Sequence, residues 1–456
     1  MLALFRNSSK IRLVQLGTED ERIKNMNYPK LTVRTMKHYH IALALVLSLL
    51  FSPVSSLHAA NLDDLVAEAL AANPEIKTSE ARWQMFTAKV RQAGTFDDPM
   101  LMLGINNGLI REPFDFKRDF TTSKVIGISQ MVPFFGKRAL AREAATLEAE
   151  ATRWEVEERK LELAAMVKET WYKLYFTDRS LEVLDRSITT LDDLVRFTEA
   201  MYGVGQGRQA DVLRAQVERS KMEEMRLVLQ QQRRSLEAGL NTLLYRPVTS
   251  VVPTIDHAEL TAISLDAAEL ERLAEEHRPL LRSLVARIDK SKAERALADK
   301  EFYPDFTLAF EYMQKESIMD DPGYDMYNAS VSFNLPLQRE RRHAMVAESE
   351  AAQRMAGDEL NMTRNNIRQV IANLLAQLER DRKMAGLYRE GILPQAGATL
   401  ESSLSAYRAG KGEFMQVLDS RMALFNVERD YYKAVAEHQM ELARLEATVG
   451  VALPVN

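Results

Sequence analysis

Apolar and polar residues alternate strictly over part of the second half of the chain. Phe306, Leu308, Phe310 and Tyr312 are separated by Thr307, Ala309 and Glu311. Tyr327, Ala329, Val331, Phe333 and Leu335 are separated by Asn328, Ser330, Ser332 and Asn334. A period of two puts each set on its own face of an extended strand. The pattern predicts strands over about 305–314 and 326–335. A weaker version, with Leu101, Leu103 and Ile105 and then Ile126 and Ile128, predicts strands over about 100–110 and 123–132. Each segment is about ten residues, the length a tilted strand needs to cross hydrocarbon. Apolar residues outside and polar ones inside is the arrangement of a membrane barrel. A soluble antiparallel sheet packed on a helix shows the same alternation.

Between the strands the period changes. Residues Lys137 to Met201 contain no glycine or proline, and these 65 residues predict a helix of ~98 Å at 1.5 Å per residue. Leu181, Leu184, Ile188, Leu191 and Val195 recur at three, four, three, four, the seam of a coiled coil. Gly203, Gly205 and Gly207 then mark a reversal. The return, Arg208 to Arg246, is shorter, and a helix over 266–302 completes the retraced length. A second long descent runs from Gln338 to Ala409, with a return from Glu413 to Val449. Gly386, Gly391, Pro394 and Gly397 interrupt that descent, so a kink or register change is expected there.

The punctuation repeats. Pro74 and Pro279 are 205 residues apart, as are Pro99 and Pro304, Tyr202 and Tyr407, and Val212-Leu213 and Val417-Leu418; Pro133 and Pro336 are 203 apart. The same residues in the same order at one offset indicate a duplicated unit of helix, two strands, long helix and returning helix. The first copy covers about 61–250 with a connector over 251–265; the second covers 266–450, leaving a tail over 451–456.

Composition narrows the chemistry. A net charge of −5 over 456 residues gives no reason to expect nucleic acid. The absence of cysteine removes disulfides, thiolate metal sites and thiol nucleophiles. His257, His277, His343 and His438 show no metal-ligand spacing. The glycines of 203–207 lack the strand and the Gly-Lys-Ser/Thr ending of a phosphate loop. Nothing here predicts an enzyme, a metal site or a cofactor. The 21 methionines suit Cu(I) as thioethers and equally suit gap-filling in helix packing.

Near the start, Met36-Lys37-His38, an apolar run from Ile41 to Phe51, Pro53, serines and Ala59-Ala60 predict an export signal over 36–60, cleaved after Ala59 or Ala60. A membrane anchor is the alternative, although the apolar run of 11 residues is short of the ~20 a helical span needs. Residues 1–35 then precede the signal as a mis-assigned start or an extension.

Four strands leave two open edges, which cannot face lipid, and closed bacterial barrels have at least eight strands. Several chains must therefore share one barrel. Two copies supply eight strands and three supply twelve; helices of this length enclose little space around a two-fold axis, which favours three. The expected class is mainly α with a transmembrane β-barrel portion: a homotrimer forming a 12-stranded β-barrel on a periplasmic α-helical barrel.

At this point the sequence resembles the TolC-type outer-membrane efflux channels. The resemblance covers about 61–450. It rests on the duplication, on the corner Val132-Pro133-Phe134-Phe135-Gly136-Lys137-Arg138, and on the motifs Tyr202 to Leu213 and Tyr407 to Asp419. It implies an outer-membrane duct reaching into the periplasm, docked on a periplasmic adaptor and, through it, an inner-membrane pump of the RND type. It also implies adaptor-contacting tips at Val204, Gly205 and Gln206 and at Ala409, Gly410 and Lys411. Asp211 and Tyr407 match closing contacts of the tip, and Asp419 matches one carboxylate of an acidic ring. Gly412 stands where a well-known member of that family has a basic gate residue, and Gln416 where it has a second carboxylate, so the resemblance implies a gate that is weaker or built otherwise. The corner motif is similar to that of the heavy-metal branch. Two other readings stay open: a duct for type I protein secretion, and a secreted periplasmic coiled-coil scaffold without a pore.

Overall fold

The computed structural model describes residues 61–255, 257–261 and 264–454. The expected signal and the segment before it lie outside the described residues.

The first repeat begins with α1 (Leu62–Ala72) and α2 (Pro74–Ala93), followed by β1 (Met100–Asn106) and β2 (Ser123–Val132). The long α3 (Lys137–Gly203) and the returning α4 (Gln209–Leu243) complete it. The second repeat has α5 (Ala267–His277), α6 (Pro279–Lys300), β3 (Phe306–Lys315), β4 (Met326–Phe333), α7 (Arg339–Leu387), α8 (Leu393–Arg408) and α9 (Phe414–Val449). α3 has 67 residues, about 100 Å of helix.

The leading helix expected to run unbroken over 266–302, and its counterpart in the first repeat, are each divided. Asn73 (φ −63, ψ 128) and Arg278 (φ −68, ψ 120) are extended. Each precedes a proline, whose ring disfavours the helical conformation at the residue before it. The side chains of Asn61 and Asp266 cap the first helix of each repeat, satisfying N–H groups that have no intrahelical partner.

The expected interruption of the second descent is a single π-helical turn, Tyr388–Ile392, in which the Leu393 N–H donates to the Tyr388 carbonyl. Pro394 has no N–H for the carbonyl four residues back, and a widened turn absorbs the missing bond. The first repeat has no proline at this point, and α3 runs unbroken.

Two cores pack side by side at the level of the leading helices. Leu65, Ala69 and Ile76 anchor one, with Leu163, Leu174 and Leu240. Leu270, Ala274 and Leu281 anchor the other, with Ile371, Leu374 and Leu445. The three anchors correspond at the 205-residue offset. Val252 and Ile255, in the segment joining the repeats, are buried in the first core. A third core lies toward the helix reversals, built from Leu184, Ile188, Leu191, Met222, Leu418 and Phe425.

The four strands make one antiparallel sheet in the order β1-β2-β3-β4. The register places Leu103 opposite Ile126, Ile128 opposite Phe310, and Tyr312 opposite Tyr327. β1 stops at Asn106, short of the expected 110, because Asn107 takes a left-handed conformation (φ 53) and turns the chain away. No helix of the described residues is long and apolar enough to cross a membrane.

Candidate functional site: channel wall and helical tips

One face of the sheet is open and largely apolar, with Lys124, Gln130 and Gln314 its polar members. Leu101 and Leu103, Ile126 and Ile128, Leu308, Phe310 and Tyr312, and Tyr327, Val331 and Phe333 all have more than two-fifths of their surface exposed. The ladder sets them side by side, with Phe310 stacked on Tyr327 at a centroid distance of 6.1 Å. No helix of the described residues packs on this face, unlike a soluble sheet packed on a helix. A contiguous uncovered apolar face of this extent needs lipid or a partner. Both edges are open as well: every residue of β1 and β4 is exposed. The opposite face carries small and polar groups, including Ser129, Thr307, Glu311, Asn328, Ser330 and Ser332.

The corner motif welds the sheet to the helices. Gly136 takes φ 91, which a side chain would resist. The turn lets the Phe134 ring stack on Tyr303 at 4.5 Å. The Phe134 N–H donates to Asp305 Oδ1 at 2.7 Å. Lys137 is buried and lies 3.0 Å from Asp305 and 3.2 Å from Glu301. Arg138 donates to the Gly94 carbonyl at 2.8 Å, capping the end of α2, and its counterpart Arg342 donates to the Glu301 carbonyl at 2.6 Å, capping the end of α6. The corner is therefore a joint, and its basic residues hold backbone and carboxylates.

The two helix reversals are the same structure. In the first, the Gly205 N–H donates to the Tyr202 carbonyl, and those of Gln206 and Gly207 donate to Met201. In the second, the Gly410 N–H donates to Tyr407, and those of Lys411 and Gly412 to Ala406. Val204, Gly205, Gln206, Ala409, Gly410 and Lys411 are all exposed. Gly412 has a packing reason: a Cβ there would sit 3.0 Å from the Tyr407 backbone nitrogen, as one at Gly207 would sit 2.9 Å from that of Tyr202. Any side chain at Gly412 needs the backbone of Ala406 and Tyr407 to give by a few tenths of an ångström.

The structure brings Asp211 and Tyr407 together. The Tyr407 phenol lies beside the Asp211 carboxylate, and burial first, then that negative charge, pushes the phenol above its ordinary range. Phe197 and Phe414 flank the Tyr407 ring at 5.8 Å and 5.3 Å. Asp419 is not part of this contact; it points outward from α9 and is exposed, as is Gln416.

Sequence reasoning missed Arg421. It is buried, and its Nη2 donates to Ser187 Oγ on α3 at 2.7 Å. Loss of hydration lowers its pKa. A signal was present: Phe414, Leu418, Arg421 and Phe425 follow the four, three, four seam, so a charge stands at a core position. Its Nε has no partner. Replacing a buried, incompletely paired ion by an apolar side chain is often stabilising. Arg421→Leu is therefore expected to raise the thermal midpoint, by the equivalent of about 1 kcal/mol or more, in calorimetry of the detergent-solubilised protein. A second buried polar group joins α7 and α9. There Asp381 and Glu441 lie together beside His438, and burial, then Asp381, pushes the Glu441 carboxyl up to about 8.

A chain with an open apolar strand face, open strand edges and duplicated long helical hairpins has the fold of an outer-membrane channel protein. A family profile described as outer membrane efflux protein matches residues 65–244 and 270–451. The chain belongs to this family. Solved structures share the fold. The outer membrane protein VceC of Vibrio cholerae superposes with a TM-score of 0.72 at 20% identity, over 86% of this chain and 97% of that one. The MtrE outer membrane channel of Neisseria gonorrhoeae, in its open state, gives 0.70 at 18%, over 88% and 94%. The CmeC outer membrane channel of Campylobacter jejuni gives 0.70 at 12%, over 86% of each. No curated protein matches the chain.

Proposed function

We propose that three copies of this chain form the outer-membrane duct of a tripartite efflux system. Their twelve strands close a barrel in lipid, and their helices form a periplasmic tunnel. The observation that supports this most is the sheet, with one apolar face uncovered and both edges unpaired. Pairing β1 of one copy with β4 of the next removes the edges, which lipid does not tolerate. The aromatic side chains Tyr312 and Tyr327 lie toward one end of the apolar face, and Phe306 and Phe333 toward the other, as girdles at two interfaces do. The chain has no cysteine, so pairs introduced one at a time on β1 and β4 report this seam cleanly. In outer-membrane fractions, some registers should give covalent species of two and three chains on oxidation. Absence of any such species across all registers would contradict the shared barrel.

The exposed reversals at 204–206 and 409–411 are the surfaces for the periplasmic adaptor, which links the duct to an inner-membrane pump of the RND type. Tyr407 and Asp211 hold the two hairpins of one chain together at the tip. Asp419 is assigned to the lumen wall at the constriction. Three symmetry-related carboxylates there repel one another and attract cations. Asp419→Ala should therefore reduce block of single-channel conductance by divalent cations several-fold; unchanged block would place Asp419 away from the constriction.

A further inference from the structure

The sheet sorts its apolar side chains by chemical kind. On the face with Leu103, Ile128 and Phe310, the exposed apolar residues are aliphatic or aromatic, and none is methionine. On the opposite face stand Met100 and Met102 of β1, Met131 of β2, Met313 of β3 and Met326 of β4. Four of the five fill no gap in a core: Met100 is 69% exposed, Met102 46%, Met131 43% and Met326 48%, while Met313 is half-buried. The other sizeable apolar side chain on this face, Val125, is buried. A wall that needed only apolar bulk would use the leucine and isoleucine found on the other side.

The register joins the thioethers into a ladder. Met313 is directly opposite Met326, a spacing of ~5 Å between Cβ atoms. Met313 also leans across β2, so that its Sδ lies 3.9 Å from Asn106 Nδ2 on β1. Met102 leans over β2 from the other side: a Cβ on Gly127 would sit 3.3 Å from Met102 Cε and 3.0 Å from Glu311 Cγ. The bare backbone at Gly127 thus forms a slot in which the Met102 thioether meets the Glu311 stem. Met100 is two residues from Met102 on the same face, and Met131 is its diagonal neighbour across the ladder, at ~7–8 Å. Met131 and Met100 lie at the helix end of the strands and Met313 and Met326 at the loop end, with Met102 and Glu311 between.

A thioether is a soft, neutral ligand that protonation does not silence near neutral pH. It suits Cu(I) and, by the same softness, Ag(I), whereas Ca²⁺, Mg²⁺ and Mn²⁺ prefer oxygen. Pairs of thioethers bind more weakly than a closed site, and conduction requires an ion to leave as readily as it enters. The Glu311 carboxylate, within 3.4 Å of Asn328 Nδ2, adds negative charge midway. We propose that the methionine face of the sheet is a transit path for soft monovalent cations, Cu(I) or Ag(I), along the barrel lumen. This rests on reading the sheet as part of a barrel wall whose polar face lines the lumen.

The test uses the full-length protein in planar bilayers, with chloride-free Ag(I) nitrate as the probe. The comparison is with M100L/M102L/M131L/M313L/M326L, which keeps volume and apolarity and removes only sulfur. Micromolar Ag(I) should lower wild-type conductance reversibly, with recovery on adding free methionine. About tenfold more should be needed in the variant. Silver–sulfur scattering in X-ray absorption should fall in parallel. Should the fivefold variant not assemble, M313L/M326L alone should shift the response about threefold. Conducting channels with the same Ag(I) response in wild type and variant would overturn the transit path and leave the duct standing. A wild-type protein that forms no channels at all would overturn the duct, and the path with it.

Discussion

Phe310→Lys is expected to remove most of the assembled protein from the outer membrane, whereas Ala309→Lys, one residue earlier, should be tolerated. Phe310 is central in β3, between Ile128 and Ala329 of the neighbouring strands. On the lipid face near the bilayer midplane a lysine costs about 2–4 kcal/mol, and a symmetric trimer meets that cost at every copy. Ala309 lies on the polar face between Ser129 and Ser330, where a lysine reaches water. The measurement is the amount of heat-resistant oligomer in outer-membrane fractions on a gel. A large loss for Phe310→Lys beside near-normal levels for Ala309→Lys is expected. Equal levels would mean that this face does not meet lipid. No packing argument internal to the chain produces the same contrast, since no helix of the described residues covers either position.

Asp178→Ala should be among the most destabilising single changes in the helical part. Asp178 is buried, and its two oxygens hold two different things. Oδ1 accepts from Arg233 Nε at 2.6 Å, and Oδ2 accepts from the Ile255 N–H at 2.9 Å. Arg233 in turn donates to the Val252 carbonyl at 3.2 Å. One carboxylate thus fastens α4 and the segment joining the two repeats onto α3. Removing one partner of such a pair leaves a charge and an N–H without satisfaction, a loss of about 3–5 kcal/mol. Thermal unfolding should move sharply down, and limited proteolysis should open first between residues 247 and 261. Asp178→Asn, which keeps an acceptor, should lose less. An unchanged melting curve and cleavage pattern for Asp178→Ala would show that the joint is held elsewhere.

The architecture was legible because the duplication repeats its punctuation. Proline at 74 and 279, and the glycine turns at 203–207 and 410–412, stand where backbone conformation demands them, so the periodicity of the sequence is that of the structure. The face pattern of β3 was legible for the same reason, since alternation maps directly onto a sheet. β1 and β2 were harder: Gly104, Gly127 and the methionines dilute the contrast between their faces. The division of the leading helices lay in the two prolines, which a reading for continuous periodicity overrode. At the tip, the pairing of Asp211 with Tyr407 followed from family resemblance, because residues 196 apart carry no local sign that they meet. Arg421 was legible in principle as a charge on an apolar seam. The buried partners Asp178, Asp381 and Glu441 were not: on a long helix rich in ion pairs, a carboxylate that turns inward looks the same as one in water.

The most direct test is the native mass of the protein extracted from outer-membrane fractions in mild detergent. One stable species of three chains is expected in that fraction. A monomer or dimer recovered from the soluble periplasmic fraction would contradict it.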